Sequence, residues 1–324
     1  MKKVFNILVV SFTLVFSTSL FANKIGVIYD SGGKFDKSFN ELAFNSAMRV
    51  VNELGWELIE FEAANNTQIE QGMRKVADRG ATLIVAMGFA QADAVAAVAP
   101  NYPDINFVNV DVCWLDDPAG NIYQACYKEH EGSFLVGMIA AMASKTGKVG
   151  FVGGMDIPLI RKFQGGYEQG ALYANPDIEI FANMTGTTPE AWNNPTKGAE
   201  LTKAQIDKGA DVVYQAAGGT GIGVLQAAAD AGIMGIGVDT NQNWMHPNML
   251  TSMLKRLDLT IFEQAEKTDA GTFEPAIVIL GLAEGMVGYA MEDGQVTAEM
   301  ESAVAAASAE IVSGGIVVAD WSQE

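Results

Sequence analysis

Beyond the first two dozen residues, short apolar runs alternate with stretches whose apolar positions recur every three or four residues. The run KIGVIYD is followed by LAFNSAMRVVNELGW, which places Ala43, Ala47, Val50, Val51 and Leu54 on one helical face. Strands at WELIEFEA, TLIVAMG and NFVNVDV then alternate with helices at TQIEQGMRKVADRG and QADAVAAVAPNY. Continuously apolar strands separated by helices describe a parallel sheet covered on both faces. The helix EGSFLVGMIAAMAS closes this first unit, and at Lys148 the same alternation restarts with KVGFVGG, LIRKFQGGYEQGALYA, IEIFANMTG, TKGAELTKAQIDKG, DVVYQAAGG, GVLQAAADAG and IMGIGVDT. The remaining tail is too short for a third unit, so it crosses between the two and completes both sheets. The expected lobes are residues 23–145 with about 257–275, and 146–256 with about 276–324. Open parallel sheets present their ligand-receptive loops at the carboxyl ends of the strands. Two units joined by several crossings face those loops into one cleft, and hinge closure around a small ligand follows.

The candidate chemistry therefore lies just after each strand. DSGGKFDKSFNE follows the first strand. Phe35 has no core to enter in this glycine-rich loop, and Asp36 or Ser38 can cap the next helix. Phe89 in MGFAQAD occupies a similar place, with burial in the core as its plainer role. Asp111 ends an apolar strand, so its carboxylate is either paired or turned toward a ligand. Trp192 stands among prolines and asparagines in TTPEAWNNPTK, either at a binding surface or flat against its own lobe. Asp239 ends GIGVD and Lys255 follows in LTSMLKRLD. Such a pair can hold vicinal hydroxyls, the carboxylate accepting and the ammonium donating, or can form a salt bridge between lobes.

The first residues, MKKVFNILVVSFTLVFSTSLFANKIG, have the basic start, short apolar core and small-residue end of a secretory signal peptide, with cleavage expected after Ala22. No cysteine lies near that point to carry a lipid anchor, so a soluble periplasmic protein is expected. The formal charge of −19 makes nucleic acid and anionic membrane poor partners. In an oxidising compartment the two cysteines, Cys113 and Cys126, can pair; the alternative is two buried thiols. His130 and His246 are the only histidines and neither stands at ligand spacing from a cysteine, so no metal site is expected.

Several mechanisms fail on spacing. In AAGGTGIGV the glycines at 219, 221 and 223 do not follow G-x-G-x-x-G, and no Gly-Lys-Ser/Thr follows. What survives is a backbone that approaches something closely at a strand end. DTNQN begins like a calcium loop, but Trp244 replaces the required glycine and Leu250 the bidentate glutamate. Neither G-x-S-x-G nor H-E-x-x-H occurs, and no histidine is placed as a base.

Six stretches together resemble the basic membrane protein group of ABC-transporter substrate-binding proteins, whose best-understood members look like purine nucleoside receptors. They are DKSFNE, EHEGSFLVGMIAA, AWNNPTKGAE, AAGGTGIGV, GVDTNQN and LTSMLKRLD, spread over nearly the whole chain after the leader. The resemblance implies a periplasmic-binding fold of type I, α/β, with two doubly wound lobes and three crossings, closing on a nucleoside such as guanosine, adenosine or inosine. It further implies stacking of the base by Phe35 and Trp192, hydrogen bonds to the base from Asn40 and Asp111, ribose held by Asp239 and Lys255, and a backbone contact from Gly219. No cofactor is implied, and the partner would be an inner-membrane ABC permease served by a monomeric receptor. Trp192 stands where phenylalanine is common in relatives, which preserves stacking. A sugar or another small polar metabolite suits the same groups. A secreted nucleosidase using Asp36, Asp111 or Asp239 would instead need its acids clustered, whereas here they fall one to a loop. A DNA-binding repressor of similar shape is excluded by the leader and by the lack of a headpiece.

Overall fold

The computed structural model describes residues 22–63 and 65–323. Nearly all of the expected leader lies outside them. The first strands and helices are β1 (Lys24–Tyr29), α1 (Phe39–Leu54), β2 (Glu57–Glu62), α2 (Ile69–Asp78), β3 (Leu83–Met87), α3 (Ala92–Val98), β4 (Asn106–Val110) and β5 (Ile122–Tyr127). α4 (Glu129–Ala143), β6 (Lys148–Met155), α5 (Pro158–Ala174), β7 (Glu179–Gly186), α6 (Pro195–Asp207), β8 (Val212–Ala216), α7 (Thr220–Asp230), β9 (Met234–Gly237) and β10 (Met249–Lys255) follow. The chain closes with α8 (Leu257–Asp269), β11 (Ala276–Leu280), β12 (Val287–Tyr289) and α9 (Ala298–Ser313).

The strands form two six-stranded sheets, ordered β11-β5-β4-β3-β1-β2 and β12-β10-β9-β8-β6-β7. The first is parallel throughout, and in the second only β12 runs antiparallel, against β10. β3 and β8 are continuously buried, as apolar strands covered on both faces must be. α1 buries Ala43, Ala47 and Val50, leaves Val51 and Leu54 half-buried, and stops at Gly55, whose φ of 74° closes the helix in the left-handed region. In each sheet the strand order reverses beside β1 and β6 respectively, so the loops after β1 and β3, and after β6 and β8, flank a natural crevice.

Two details of the expected partition differ. The helix EGSFLVGMIAAMAS, read as the end of the first unit, is α4, and it packs against α5, β10, β12 and α9 of the second. The first crossing therefore falls at Lys128. Residues 276–280, assigned to the second lobe, form β11 and pair with β5 at the edge of the first sheet. The other crossings lie at Arg256, between β10 and α8, and in the 281–286 segment. α8 itself returns to pack on α1 and β4.

α4 and α5 meet with almost no side chain between them. A Cβ at Gly137 would overlap the Tyr167 carbonyl, one at Gly166 the backbone of His130, and one at Gly170 the carbonyl of Phe134. This backbone-to-backbone seam fixes α4 against the second lobe and places its first residue, Glu129, at the cleft.

Candidate ligand-binding site between the lobes

The loop after β1 closes on itself before it reaches the cleft. Asp36 accepts the backbone N–H groups of Ser38 at 2.9 Å, Asn40 at 3.0 Å and Glu41 at 3.1 Å, and so caps the first turn of α1. Asn40 donates through its amide to Asp30 Oδ1 at 2.6 Å and to the Gly33 carbonyl at 3.2 Å, while its own oxygen accepts the Asp30 N–H at 3.1 Å. Ser38 holds the N-cap position of α1 but makes no side-chain capping bond; its hydroxyl donates across the cleft to Asp239 Oδ2 at 2.5 Å. A second hydrogen bond crosses at Gln242, whose Nε2 donates to the Lys37 carbonyl at 2.8 Å.

Asp111 and Asp239 end β4 and β9, strands that hold corresponding places in the two sheets. Both adopt the left-handed region, with φ of 66° and 65°. Non-glycine residues sit there at a cost, and Asp is among the few that tolerate it. Between them lies Lys255, buried at the end of β10. Its ammonium contacts Asp111 Oδ1 at 2.6 Å and Glu129 Oε1 at 3.0 Å. Glu129 Oε2 in turn meets Lys162 Nζ at 2.8 Å, and Lys162 also donates to the Tyr127 carbonyl at 2.6 Å.

Electrostatics follow from this burial. Burial alone would lower the Lys255 ammonium, but Asp111, Glu129 and Asp239 together hold it above the ordinary lysine value. Burial would raise Glu129, yet Lys255 and Lys162 outweigh it and hold that carboxyl below its usual range. Asp111 is pushed up to about 6 by burial, against the pull of Lys255. Asp36 is pushed up to about 7 by burial, against the N–H of Asn40. Asp30 and Asp239 are raised for the same first reason.

The folded protein thus keeps protons on Asp36 and Asp111 that the unfolded chain, titrating near 3.8, has already released. Their contribution to stability is complete below pH 3.8 and is lost as pH rises through about 6 and 7. Glu129 acts in the opposite sense, its contribution being present above 4.5 and lost as pH falls through its lowered value. Thermal melts of ligand-free protein should therefore show a midpoint that rises between about pH 8 and pH 5.5. A midpoint that falls steadily over that interval would contradict the assignment.

The interlobe cavity holds about 540 Å³ free of protein atoms, part of it continuous with solvent. Its aromatic walls are Phe39, Phe89, Phe163 and Trp192; Asp30, Asp36, Asp111, Asp239 and Lys255 supply the charge. The indole of Trp192 lies over Gly154, where any side chain would displace it. Four carboxylates against one ammonium disfavour an anion and suit a ligand rich in N–H and O–H donors. A second space, of about 920 Å³ including open solvent, adjoins the first and shares Phe89, Asp111 and Leu159 with it. Trp114, Cys126, Glu129 and Lys162 also line this space.

Six of the residues expected from sequence meet in the first cavity: Asp36, Phe89, Asp111, Trp192, Asp239 and Lys255. Three do not line it. Phe35 is 61% exposed and stands edge-on to Phe44, outside the cavity, because the capping turn points it outward; Phe39 supplies the aromatic instead. Asn40 spends its amide within the loop. Gly219 lies one residue beyond Gly218, which forms the wall. Lys255 does form a salt bridge between lobes, but with Asp111 rather than Asp239. Asp30 was legible by the same strand-end rule that found Asp111 and Asp239. Phe163 and Glu129 lie in helices that carried no such signal. Cys113 and Cys126 are joined in a disulfide.

The profile of the family described as ABC transporter substrate-binding protein PnrA-like (Bmp) matches residues 22–321. Basic membrane protein A2 of Borrelia garinii is 34% identical over 91% of this chain and 88% of its own length. The ABC transporter nucleoside-binding protein BmpA of Lactococcus lactis is 31% identical, over 91% of this chain and 88% of its own. A crystal structure of an ABC transporter solute-binding protein from Aeropyrum pernix superposes with a TM-score of 0.82 at 27% identity, covering 93% of this chain and 94% of that one. Sheet order, interlobe cleft and sequence agree: the chain belongs to the PnrA-like (Bmp) family of ABC transporter substrate-binding proteins.

Proposed function

We propose that this protein captures a purine nucleoside between its lobes by hinge closure and hands it to the membrane permease of an ABC importer, acting as a monomer without chemistry of its own. The observation that carries this reading is the cavity wall, where four aromatic side chains are combined with four carboxylates and a single buried ammonium. Aromatic faces stack a base, carboxylates accept from ribose hydroxyls and ring N–H groups, and the lack of any cationic cluster leaves a phosphate without a partner. The relative from Lactococcus lactis that is named for nucleoside binding supports the ligand class. Its expected place is the periplasm; this rests on the leader. No helix among the described residues is long and apolar enough to cross a membrane.

Calorimetric titration of ligand-stripped protein tests the reading. Adenosine, guanosine and inosine should bind. Ribose and a free base should bind far more weakly, and adenosine 5′-monophosphate at least about a hundredfold more weakly than adenosine, since like charges brought together cost several kcal/mol. Binding of sugars with silence across the nucleosides would replace the ligand, and release of free base from inosine would replace the receptor reading with a hydrolase.

A further inference from the structure

We infer that the Cys113–Cys126 disulfide is a positioning element of the ligand site: it holds the two carboxylates that grip Lys255 in register. This rests on the binding role assigned to the cleft, and its test separates the two. Residues 111–121 connect β4 to β5, which are parallel neighbours, without the helix that such a crossover normally carries. The far end of this loop is secured by Asp117, which accepts the N–H groups of Gly120 at 2.9 Å, Asn121 at 3.1 Å and Ile122 at 2.8 Å. The near end carries Asp111 in its left-handed conformation, one that a loose loop abandons readily.

Three ties hold that near end. The Asp111 N–H donates to the Ala125 carbonyl at 2.8 Å, the Gln124 side chain bonds both N–H and carbonyl of Leu115, and the disulfide lies between these two. Its sulfurs belong to a residue two beyond Asp111 and to a residue three before Glu129. Asp111 Oδ1 and Glu129 Oε1 both contact Lys255 Nζ. Bridge, carboxylates and ammonium thus close one ring, covalent on one side and ionic on the other.

The corresponding turn in the second lobe is fastened by side-chain hydrogen bonds alone. Asp239 has the same backbone conformation, and there Gln242 does the fastening. Its Oε1 accepts the Val238 N–H at 2.9 Å, its N–H donates to Ser252 Oγ at 3.0 Å, and its amide reaches Gln215 and Lys37. In the first lobe the buried Gln124 fastens the loop only at Leu115, four residues beyond Asp111, and the disulfide adds a covalent tie closer in, at Cys113. Preorganised carboxylates keep their geometry only where the supporting groups are fixed.

The test compares the wild type with Cys113→Ser/Cys126→Ser, each with and without Asp111→Asn. The dissociation constant for adenosine, guanosine or inosine should rise at least about tenfold in the doubly substituted protein, at a temperature where its near-ultraviolet circular dichroism is native. Adding Asp111→Asn should then cost less than it does in the bridged protein. A lower unfolding midpoint with unchanged affinity, or strictly additive effects, overturns the inference and leaves the disulfide a stabiliser of the chain alone. Should the wild type bind no nucleoside, the ligand assignment fails by itself, and amide hydrogen exchange decides the positioning role without ligand. The Asp111 amide should exchange faster once the bridge is removed while β8 keeps its protection, and equal rates at Asp111 overturn it. If the substituted protein does not fold, the same exchange measurement on wild type reduced with a water-soluble phosphine gives the answer.

Discussion

Replacing Lys255 with Met is expected to destabilise the ligand-free protein by about 3–5 kcal/mol near pH 8, and by distinctly less near pH 5.5. Among the described residues the ammonium is the one cation touching Asp111, and it shares Glu129 with Lys162. Methionine keeps most of the volume and removes the charge, so Asp111 is left buried with no cationic partner. Losing one member of a buried pair costs more than the pair contributes, because the survivor retains its full desolvation penalty. Asp111 can escape that penalty by taking up a proton. It already titrates near 6 with Lys255 present, and without it the carboxyl rises further. The loss should therefore shrink as pH falls, which denaturant unfolding at the two pH values will show. An equal loss at both would mean that Lys255 acts through packing against Phe39, Tyr127 and Phe163, whose rings surround it, and not through charge.

Gly170→Ala should destabilise by about 3 kcal/mol or more, the upper end of overpacking. The sign is what makes this informative. Helix propensity alone favours alanine over glycine by about 1 kcal/mol inside a helix, so α5 considered in isolation would gain. The added methyl, however, would occupy the space of the Phe134 carbonyl oxygen, part of a backbone rather than the flexible end of a side chain. Separation of α4 from α5 would follow, and Glu129 at the head of α4 would lose its register with Lys255 and Lys162. Urea unfolding of the variant, with nucleoside affinity measured on the folded fraction, checks both consequences. A stabilised variant would show that the seam is looser than described.

Alternation of apolar runs and helical periodicity made both sheets legible because strands such as LIVAM and VVYQA are buried along their whole length and are mostly apolar, with Gln215 in the second buried like its neighbours. Pattern could not say which sheet α4 serves. That helix is buried on nearly every side, and a helix apolar all round has no face to point with. Nor could it assign β11, whose burial alternates as an edge strand's does while its partner is chosen by a return of the chain from the other lobe. Within the site, the strand-end aspartates were readable because an acid closing an apolar run needs a reason to be there. The choice between Phe35 and Phe39 was not. Phe35 lies in the loop and Phe39 opens α1, and the turn between them, held by the three N–H groups that Asp36 gathers, carries no period from which the inward ring could be read.

The path of the chain between the lobes also sets the order in which the molecule can assemble. The first sheet lacks its outer strand until residues 276–280 arrive, and α1 lacks its neighbour α8 until 257–269. By then nearly all of the second sheet has been made. A growing or emerging chain therefore cannot finish its first lobe and then add a second, as proteins built from consecutive domains do. The first lobe waits for chain that passes through the second, and the edge of β5 stays uncovered until residues 276–280 arrive.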